Sequence, residues 1–523
     1  MTPIDAFRRG GYTLTQRIEA GFDAVFGATH NPWRHLGALG FYFFWLIAAS
    51  GLYLYAVLDT SVEHIGASIN YYSREQWYLG GLLRSIHRYA SDAFVVVMFL
   101  HLAREFFYGR YVGVRWYSWI TGVPLIWLAY ASGIGGYWLV WDQLAQFSII
   151  ASAEWLDWLP IVTDPTARNF LTPGAVNDRL FSLLMFLHIG IPLMLLLGLW
   201  VHIQRISRAD VFPSRRLGLG TLAMLVVLSF VQPAVSHAPA NLAIVPSAVD
   251  LDWLLLFAHP LMYTTSPPTL WALCGVFTLL IAVLPLLPHE KRQPVAVVHP
   301  DWCNGCRRCF EDCPYSAITM LPHPDKPGHS LAEVNAALCV SCGICAGACP
   351  SSTPFRSAEK LVTGIDMPQQ SIDAVRQALE ARLAALTTSP RIVVFGCDCA
   401  AALNSLEAAD TAAISLLCIG QLPPSLVEYS LRSGADGVLI SGCREGSCAY
   451  RFGNTWTTQR LAGEREPHLR TNVPAERLRV AWADPHEAAQ LNAALAAFRK
   501  DLQNLGTNRQ PLHAPVRRIF HHD

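Results

Sequence analysis

Four histidines occur as two pairs inside strongly apolar segments, where ionisable side chains are costly and usually functional. His87 and His101 share one segment, His188 and His202 share another, and both pairs are 14 residues apart. Fourteen residues make just under four helical turns, so each pair lies on one helix face with its members about 21 Å apart. Imidazoles from two adjacent helices can bind a haem iron from both sides. The spacing predicts two b-type haems. The alternative is that the histidines bind no haem and only form hydrogen bonds between helices. Four histidines at matched positions favour haem binding over this alternative.

Two glycine pairs in other apolar segments repeat the same interval. Gly37 and Gly51 are 14 residues apart, and so are Gly122 and Gly136. A flat macrocycle can approach a helix closely where no Cβ is present. Glycines also serve ordinary helix packing, but an interval equal to that of the histidines favours positions beside the haems.

Eight cysteines in the second half of the chain form two copies of one pattern. The run Cys-x2-Cys-x2-Cys-x3-Cys-Pro spans 303–314 and again 339–350, and it resembles the run of bacterial two-cluster ferredoxins. In such runs three thiolates hold one cubane and the fourth crosses to the other cluster. The resemblance implies two [4Fe–4S] clusters, with the ligand sets Cys303, Cys306, Cys309 and Cys349, and Cys339, Cys342, Cys345 and Cys313. The alternative is that these cysteines bind zinc, but the occurrence of the same run twice favours iron–sulfur clusters.

Five further cysteines lie between residues 397 and 448. The stretches FGCDCA and LLCIGQLPPSLVEYSLRSGADGVLISGCREGSCAYRFGN resemble the delta subunit of methyl-viologen-reducing hydrogenase, over about 390–506. That resemblance implies one [2Fe–2S] cluster and electron transfer between a hydrogenase or dehydrogenase and heterodisulfide-reductase-type flavoproteins. The cluster needs four thiolate ligands, and five candidates are present: Cys397, Cys399, Cys418, Cys443 and Cys448. The sequence does not decide between Cys397 and Cys399. The alternative is that these five thiols have only a structural role. Cys274, which lies in the sixth apolar segment, is expected to be a packing residue.

The histidines and glycines require a helical framework in a membrane. Six apolar segments are long enough, or nearly so, to cross a bilayer, and they run over about 39–58, 85–108, 117–140, 180–203, 217–235 and 269–287. Residues 1–36 contain no signal-peptide core, so the first span is expected to stay in the membrane.

Arginines are distributed unequally among the connections between these spans. The second-to-third and fourth-to-fifth connections, together with the adjoining end of the second span, contain Arg104, Arg110, Arg115, Arg205, Arg208, Arg215 and Arg216, whereas the others contain Arg74, Arg84, Arg168 and Arg179. The positive-inside rule places the N-terminus and everything after the sixth span in the cytoplasm, where reducing conditions suit thiolate clusters. The second and fourth spans then run in the same direction. His87 and His188 therefore form the outer pair, and His101 and His202 form the cytoplasmic pair.

Over about residues 30–290 the chain resembles cytochrome b of bc-type complexes. The resemblance rests on LLRSIHRYASDAFVVVMFLHLAREFFYGRY, GIGGYWLVWDQ and FLHIGIPLMLLLGLWVH. It implies that the four histidines bind the two haems and that Arg84 pairs with a haem propionate. It also implies an outer quinol site formed by Trp141, Asp142 and Asp252.

The sequence departs from that family at the implied quinol site. Val140 stands where the family has proline before its Trp-Asp-Gln, and the family's Pro-Glu-Trp-Tyr becomes Leu-Asp-Trp-Leu at 251–254. Asp252 stands where the family has glutamate, and its side chain is one methylene shorter. Its carboxylate can still accept a proton from a quinol. The alternative is that Asp252 is only a loop carboxylate at the membrane surface and takes no part in a quinol site.

Composition agrees with an integral membrane protein. Hydrophobic residues make up 52% of the 523 residues and charged residues 15%, against about 25% charged in soluble domains. The 39 basic and 39 acidic side chains cancel, which argues against nucleic-acid binding. No nucleotide fingerprint is evident, so flavin or nicotinamide chemistry is expected on a partner.

The predicted fold class is multidomain: an all-α transmembrane bundle of six spans, then a small α+β two-cluster ferredoxin fold, then a small α/β domain. From Arg391 onward strand and helix patterns alternate, which indicates a parallel sheet. The expected domains are an amphipathic cytoplasmic N-terminus (1–36), a dihaem cytochrome b domain (37–290), a two-[4Fe–4S] ferredoxin domain (298–356), a helical linker (370–388), a [2Fe–2S] hydrogenase-delta-like domain (390–506) and a tail (507–523).

These features predict an electron-transfer subunit of a quinone-linked oxidoreductase. It would connect the quinone pool, through two b haems and the iron–sulfur clusters, with a cytoplasmic heterodisulfide-reductase-like or other flavo-iron–sulfur protein. The alternative is a membrane anchor and wiring module without a functional quinone site. The expected location is the cytoplasmic membrane of a bacterium or archaeon, in contact with lipid, and a homodimer is left open.

Overall fold

The computed structural model describes residues 3–159, 171–172, 174–206, 209–245, 248–287, 294–356, 360–444, 446–485 and 487–505. The chain divides into two compact units, Met1–His289 and Glu290–Asp523. Some predicted features lie outside the described residues: Arg168, Arg208, the charged exit from the membrane at 288–292 and the tail 507–523.

Helices form the framework of the first unit. They are α1 (Pro3–Phe26), α2 (Leu36–Val57), α3 (Ile65–Asn70), α4 (Leu82–Phe107), α5 (Trp116–Trp138), α6 (Gln143–Asp157), α7 (Asp178–Ile203), α8 (Arg215–Val231), α9 (Ala258–Thr264) and α10 (Pro267–Val283). Six of them, α2, α4, α5, α7, α8 and α10, fall on the six predicted apolar segments. A helix satisfies its backbone hydrogen bonds internally, as an apolar medium requires.

Three helical stretches of the described chain are long and apolar enough to cross a membrane. They are Pro32–Val57, Asp178–Ile203 and Pro267–Leu286. Charged side chains such as Arg88 and Asp92 lower the hydropathy of α4, and α8 has only 17 residues. Six helices therefore occupy the expected positions, while the count of six membrane spans stays a prediction.

The outer faces of α7 and α10 are unusually apolar. Their exposed side chains include Phe186, Leu193, Met194 and Trp200 on α7, and Val276, Leu279 and Leu280 on α10. A continuous apolar surface of this kind is rare on soluble monomers. Contact with lipid explains it.

Helix α2 packs along α4, and α5 packs along α7. Their shared core contains Leu39, Phe43, Phe94, Leu125, Leu195 and Leu199. The N-terminal helix α1 is held to α4 by polar contacts, because Glu19 accepts hydrogen bonds from Arg104 Nε at 2.8 Å and from the Tyr108 hydroxyl at 2.9 Å. The amphipathic N-terminus is thus anchored beside the end of α4 that follows His101.

The second unit begins with a ferredoxin-like region. Strand β1 (Val297–Val298) pairs antiparallel with β4 (Ile365–Asp366), and β2 (Ile318–Pro322) pairs antiparallel with β3 (Ser330–Val334). Two short helices, α11 (Arg308–Asp312) and α12 (Ile344–Ala348), contain the third cysteines of the two runs, Cys309 and Cys345. This is the small α+β arrangement that the cysteine spacing predicts.

An α/β region completes the second unit. Its parallel sheet has the order β6-β5-β7-β8, formed by β5 (Ile392–Cys397), β6 (Thr411–Leu416), β7 (Gly437–Gly442) and β8 (Leu478–Trp482). The helices are α13 (Ile372–Ala384), α14 (Pro424–Arg432), α15 (Gly453–Ala462) and α16 (Ala488–Asn504). The central strands β5 and β7 are buried along their whole length, as their uninterrupted apolar runs indicate.

One expectation about this region needs correction. Residues 370–388 are expected to be a linker, but α13 packs against the sheet. Its apolar side Val375, Leu379 and Leu383 shares a core with Val393 and Phe395 of β5. An amphipathic pattern shows that one face is buried, but it does not show what covers that face.

Candidate functional site

The two central helices bring the histidines into facing positions. Helix α4 carries His87 and His101, and α7 carries His188 and His202. The rings of His87 and His188 are 6.3 Å apart between centroids, at an interplanar angle of 65°. The predicted outer pair is therefore assembled by the fold.

Each of the four predicted glycines faces one of the four histidines. A Cβ added at Gly51 would lie 2.9 Å from His87 Cε1, and one at Gly136 would lie 3.0 Å from His188 Cε1. The corresponding distance is 3.1 Å from Gly122 to the Cε1 of His202. At Gly37 the nearest atom is Cε1 of His101, at 3.6 Å. The shared interval of 14 residues thus has a physical cause, since each glycine faces a histidine, and at Gly51, Gly122 and Gly136 the imidazole needs the space left by the missing side chain.

The imidazoles are oriented through their Nδ1 atoms. His87 Nδ1 lies 3.0 Å from the carbonyl of Ile47, and His188 Nδ1 lies 3.1 Å from the carbonyl of Ser132. His202 Nδ1 is 3.4 Å from the Thr121 hydroxyl. A carbonyl partner requires a proton on Nδ1, which leaves Nε2 of the outer pair unprotonated and able to bind a metal. The residues therefore fit a bis-histidine haem site.

Arg84 lies near the start of α4, three residues before His87. Its Nη1 donates to Ser73 Oγ at 2.8 Å, and its Nη2 donates to Ser236 Oγ at 2.9 Å. These groups line a cavity of about 240 Å³ together with Arg74. The arginines and hydroxyl groups in its lining suit an acidic group, as the implied haem propionate would be, while Trp77, Phe230 and Val235 make the rest of the lining apolar.

The residues of the implied quinol site are engaged in local contacts. Trp141 has a positive φ of 52° and packs edge-on against Phe181 at 5.1 Å. Asp142 caps α6, because its carboxylate accepts from the backbone N–H of Ala145 and of His237, both at 2.9 Å. Both Asp142 oxygens are thus committed to backbone amides.

Asp252 is buried among polar partners. Its Oδ2 lies 2.8 Å from Arg88 Nη2 and also accepts from the Tyr137 hydroxyl. Its Oδ1 accepts from the backbone N–H of Leu254 at 2.8 Å. Arg88 also binds Asp92, at 2.5 Å. The arginine, Asp92 and Tyr137 were missed by the sequence analysis, although two opposite charges four residues apart inside an apolar segment were a usable signal.

The two ferredoxin-type runs share a backbone conformation. Gly305 and Arg307 have φ values of 69° and 66°, and the equivalent Ser341 and Gly343 have 62° and 76°. Left-handed residues in such loops turn successive N–H groups to one side, which forms a site for an anion. An iron–sulfur cluster with its thiolates is such an anion, so the loops fit it.

The thiol environments of the two runs agree with the predicted crossing of the fourth cysteines. Burial, and after it the neighbouring thiols of Cys349, Cys306 and Cys303, raise the pKa of Cys309 to about 12. Burial and a thiol set that includes Cys342, Cys313 and Cys339 raise the pKa of Cys345 well above its ordinary value. Each fourth cysteine therefore faces the other run. Buried thiols with raised pKa values need bound metal cations to ionise. In the described part of the chain, no three His, Cys, Asp or Glu side chains converge tightly enough for a single metal ion.

In the α/β region four thiols gather around one space. Cys397 Sγ and Cys443 Sγ are 3.7 Å apart, and the thiols of Cys418 and Cys448 both adjoin Gly453. A Cβ at Gly453 would collide with Cys418 Sγ, so the glycine leaves room for these thiols.

Cys399 is set apart from the other four thiols. It is only partly buried, whereas the other four are buried, and its backbone carbonyl accepts a hydrogen bond from Cys443 Sγ at 3.4 Å. The strand β5 ends at Cys397, so the two neighbouring cysteines point differently. Cys274, the remaining cysteine, packs against a cluster that contains Met262 and Leu270, as expected for a packing residue.

The second ferredoxin-type ligand set adjoins the α/β thiols. Cys342, Ile344, Cys418 and Trp456 belong to one buried cluster. Trp456 Nε1 donates to the backbone carbonyl of Asp312 at 3.1 Å. Two predicted cluster sites are therefore neighbours within this unit.

A buried ion pair accompanies that apolar contact. The Asp312 carboxylate lies 2.5 Å from Arg460 and 2.5 Å from Arg465, and the Arg460 side chain is 1% exposed. Arg460 also donates to the carbonyl of Gly420 at 2.8 Å. The sequence analysis gave no signal for this contact, because its members are about 150 residues apart.

Comparison with known families agrees with the order of these regions. Residues 92–239 match the family of cytochrome b(N-terminal)/b6/petB, residues 302–353 match the 4Fe-4S dicluster domain, and residues 392–506 match the methyl-viologen-reducing hydrogenase delta subunit. One similar solved structure, described as "Hyperthermophilic respiratory Complex III", has 21% identity and a TM-score of 0.41, over 49% of this chain and 75% of that chain. The three resemblances predicted from the sequence are confirmed. The chain therefore joins a cytochrome b region, a 4Fe–4S dicluster region and a hydrogenase-delta region, in that order.

Proposed function

We propose that this chain is a membrane-bound electron-transfer subunit. It links the quinone pool, through two b haems, two [4Fe–4S] clusters and one [2Fe–2S] cluster, to a cytoplasmic flavo-iron–sulfur oxidoreductase. These cofactors, when bound, supply one-electron redox chemistry. The observation that carries the proposal is the set of four glycine–histidine contacts, since each histidine meets a glycine on a neighbouring helix.

The haem ligands are His87 and His188 for one site and His101 and His202 for the other. Carbonyl contacts at Nδ1 of His87 and His188 hold the outer imidazoles with Nε2 free. Arg84 is placed to bind an acidic group of the cofactor near the outer pair.

The cluster ligands follow from the thiol neighbours. The [4Fe–4S] sets are those predicted from the two runs, with Cys349 and Cys313 exchanged between them. The [2Fe–2S] ligands are Cys397, Cys418, Cys443 and Cys448, whose thiols are buried together, and the less buried Cys399 is left out of the set.

The distribution of arginines supports the orientation. Arg104, Arg110 and Arg115 surround Glu105 at the end of α4, at distances of 3.3 Å each. By the positive-inside rule this end faces the cytoplasm. The subunit would then reside in the cytoplasmic membrane of a bacterium or archaeon, with its thiol-rich unit in the cytoplasm.

The quinone site is proposed at Asp252, with Trp141 and Asp142 shaping the adjoining turn. Asp142 caps a helix, whereas the Asp252 carboxylate contacts the titratable side chains of Tyr137 and Arg88. A second function, a wiring module without a quinone site, is favoured by the same observation, because the Arg88 ion pair already occupies the carboxylate.

Two measurements on the purified full-length chain test these functions. Haem, iron and acid-labile sulfide should match two haems, two [4Fe–4S] clusters and one [2Fe–2S] cluster. His101→Ala or His202→Ala should remove only the cytoplasmic-side haem. A chain without haem in its pyridine haemochrome spectrum would contradict the proposal, and a chain with haem but no binding of a quinol analogue would favour the wiring module.

A further inference from the structure

Two carboxylates share one arginine inside the helical unit. Arg88 Nη1 lies 2.5 Å from Asp92 Oδ1, and Arg88 Nη2 lies 2.8 Å from Asp252 Oδ2. The two carboxylates therefore lie against the same guanidinium group. Asp92 is on α4, four residues beyond Arg88, and the resemblance to cytochrome b assigns no role to it.

The charges of this group do not balance. Arg88 supplies one positive charge, whereas Asp92 and Asp252 together would supply two negative charges. The Asp252 side chain is 5% exposed and that of Asp92 is 24% exposed, so water screens them weakly. Two carboxylates held on one guanidinium group repel each other and lose solvation on burial, so a proton on one of them relieves both penalties.

In the part of the chain that the structure describes, Arg88 is the cation that pairs with these carboxylates, and no second one does so. The titratable groups that face the carboxylates are tyrosines: Tyr137, whose hydroxyl donates to Asp252, Tyr130, whose hydroxyl is 3.4 Å from the Leu254 carbonyl, and Tyr89, whose hydroxyl donates to Gln232. These hydroxyls are neutral donors. Only the Tyr137 hydroxyl donates to a carboxylate, and as a neutral donor it does not cancel the second charge.

We propose that Asp92 and Asp252 form a pair that binds one proton between them, and that Asp92 is the proton-relay residue of the outer quinone site. The inference rests on the proposed quinone function. An O–H bond forms on one carboxylate when a proton arrives from a quinol hydroxyl or from water, and it breaks when the proton leaves. No electron moves in this step.

The arrangement gives Asp92 a role that an ion pair alone does not need. Asp252 by itself neutralises Arg88, so a second carboxylate adds only the capacity to hold a proton. The partial exposure of Asp92 gives that proton a way out of the buried position of Asp252.

Infrared spectra of the purified full-length chain, recorded across pH, test the pair. Wild-type protein should show a protonated carboxyl band at neutral pH, and that band should disappear in both Asp92→Asn and Asp252→Asn. Asp178→Asn is the matched control, since Asp178 is an exposed carboxylate of the same unit that accepts from Val62 N. Haem content reports whether each variant is folded, and a variant lacking haem is replaced by Asp92→Ser.

The outcomes separate this inference from the proposed function. Loss of the band in both variants supports the pair whether or not the chain reacts with quinol. A band that persists in either variant, or no neutral-pH carboxyl band in the wild type, overturns the pair. Where the chain does react with quinol, the relay predicts that Asp92→Asn changes the pH profile of the rate, and an unchanged profile overturns the relay role.

Discussion

Replacement of the four glycines by alanine should affect the haems in a graded way. The Cβ of alanine would lie 2.9 Å from the facing histidine at Gly51, 3.0 Å at Gly136 and 3.1 Å at Gly122, but 3.6 Å at Gly37. Distances of about 3 Å require the imidazole to move, whereas 3.6 Å is ordinary van der Waals contact. Alanine should therefore be tolerated at Gly37 and should weaken haem binding at the other three positions.

The size of the effect follows from the cost of overpacking. An extra methyl group in a well-packed interior costs about 1–3 kcal/mol. At about 1.4 kcal/mol per tenfold change in an equilibrium constant, haem affinity should fall about 5- to 150-fold at Gly51. The displaced imidazole would also strain its bond to the Ile47 carbonyl, so the outer haem should change its optical and EPR spectra.

Haem content per protein and low-spin EPR signals measure this series. Gly190→Ala on α7 and Gly220→Ala on α8 are the controls, because no atom lies within 4 Å of a Cβ at either position. They should keep both haems, since alanine favours the helix over glycine by about 1 kcal/mol. Full haem content with unchanged spectra in Gly51→Ala and Gly136→Ala would refute the reasoning. Equal loss in the controls would also refute it.

Three further substitutions test the other sites. Cys443→Ser should remove the [2Fe–2S] EPR signal, whereas Cys399→Ser should retain it, and the reverse result would contradict the assignment of the four thiols. Asp312→Asn should lower the free energy of unfolding by about 3–5 kcal/mol, because it leaves the buried guanidinium of Arg460 without its carboxylate. Asp325→Asn, an exposed change in the same region, should leave the thermal midpoint unaltered. Equal midpoints in the two variants would show that Asp312 does not stabilise the contact between the ferredoxin-like and α/β regions. Asp252→Asn should impair quinone-linked haem reduction or oxidation while iron and sulfide content stay at wild-type values, and unchanged rates would exclude Asp252 from the quinone site.

Features with a short sequence period could be predicted from the sequence. The 14-residue interval places His87 and His101 on one face of a helix whatever surrounds that helix. The ferredoxin-type runs likewise determine their own loop conformation, since left-handed residues occur at equivalent positions in both. Alternating strands and helices after Arg391 indicated the parallel sheet, which the structure contains.

Contacts between distant segments could not be predicted in this way. Arg88 and Asp252 are far apart in the sequence, and the pattern around each does not show that they meet. The choice between Cys397 and Cys399 depends on where β5 ends and the chain turns, which spacing alone does not determine. The same limit explains why α13 was expected to be a linker.

The contact between the ferredoxin-like and α/β regions bears on how the second unit works. Cys342 of the second ligand set and Cys418 of the α/β site share a buried cluster, and the Asp312–Arg460 pair lies beside it. A buried ion pair persists only where geometry holds both partners, since each lost partner leaves an uncompensated charge. The two regions should therefore keep a fixed separation between their cofactor sites, rather than exchange electrons through transient encounters of two tethered domains.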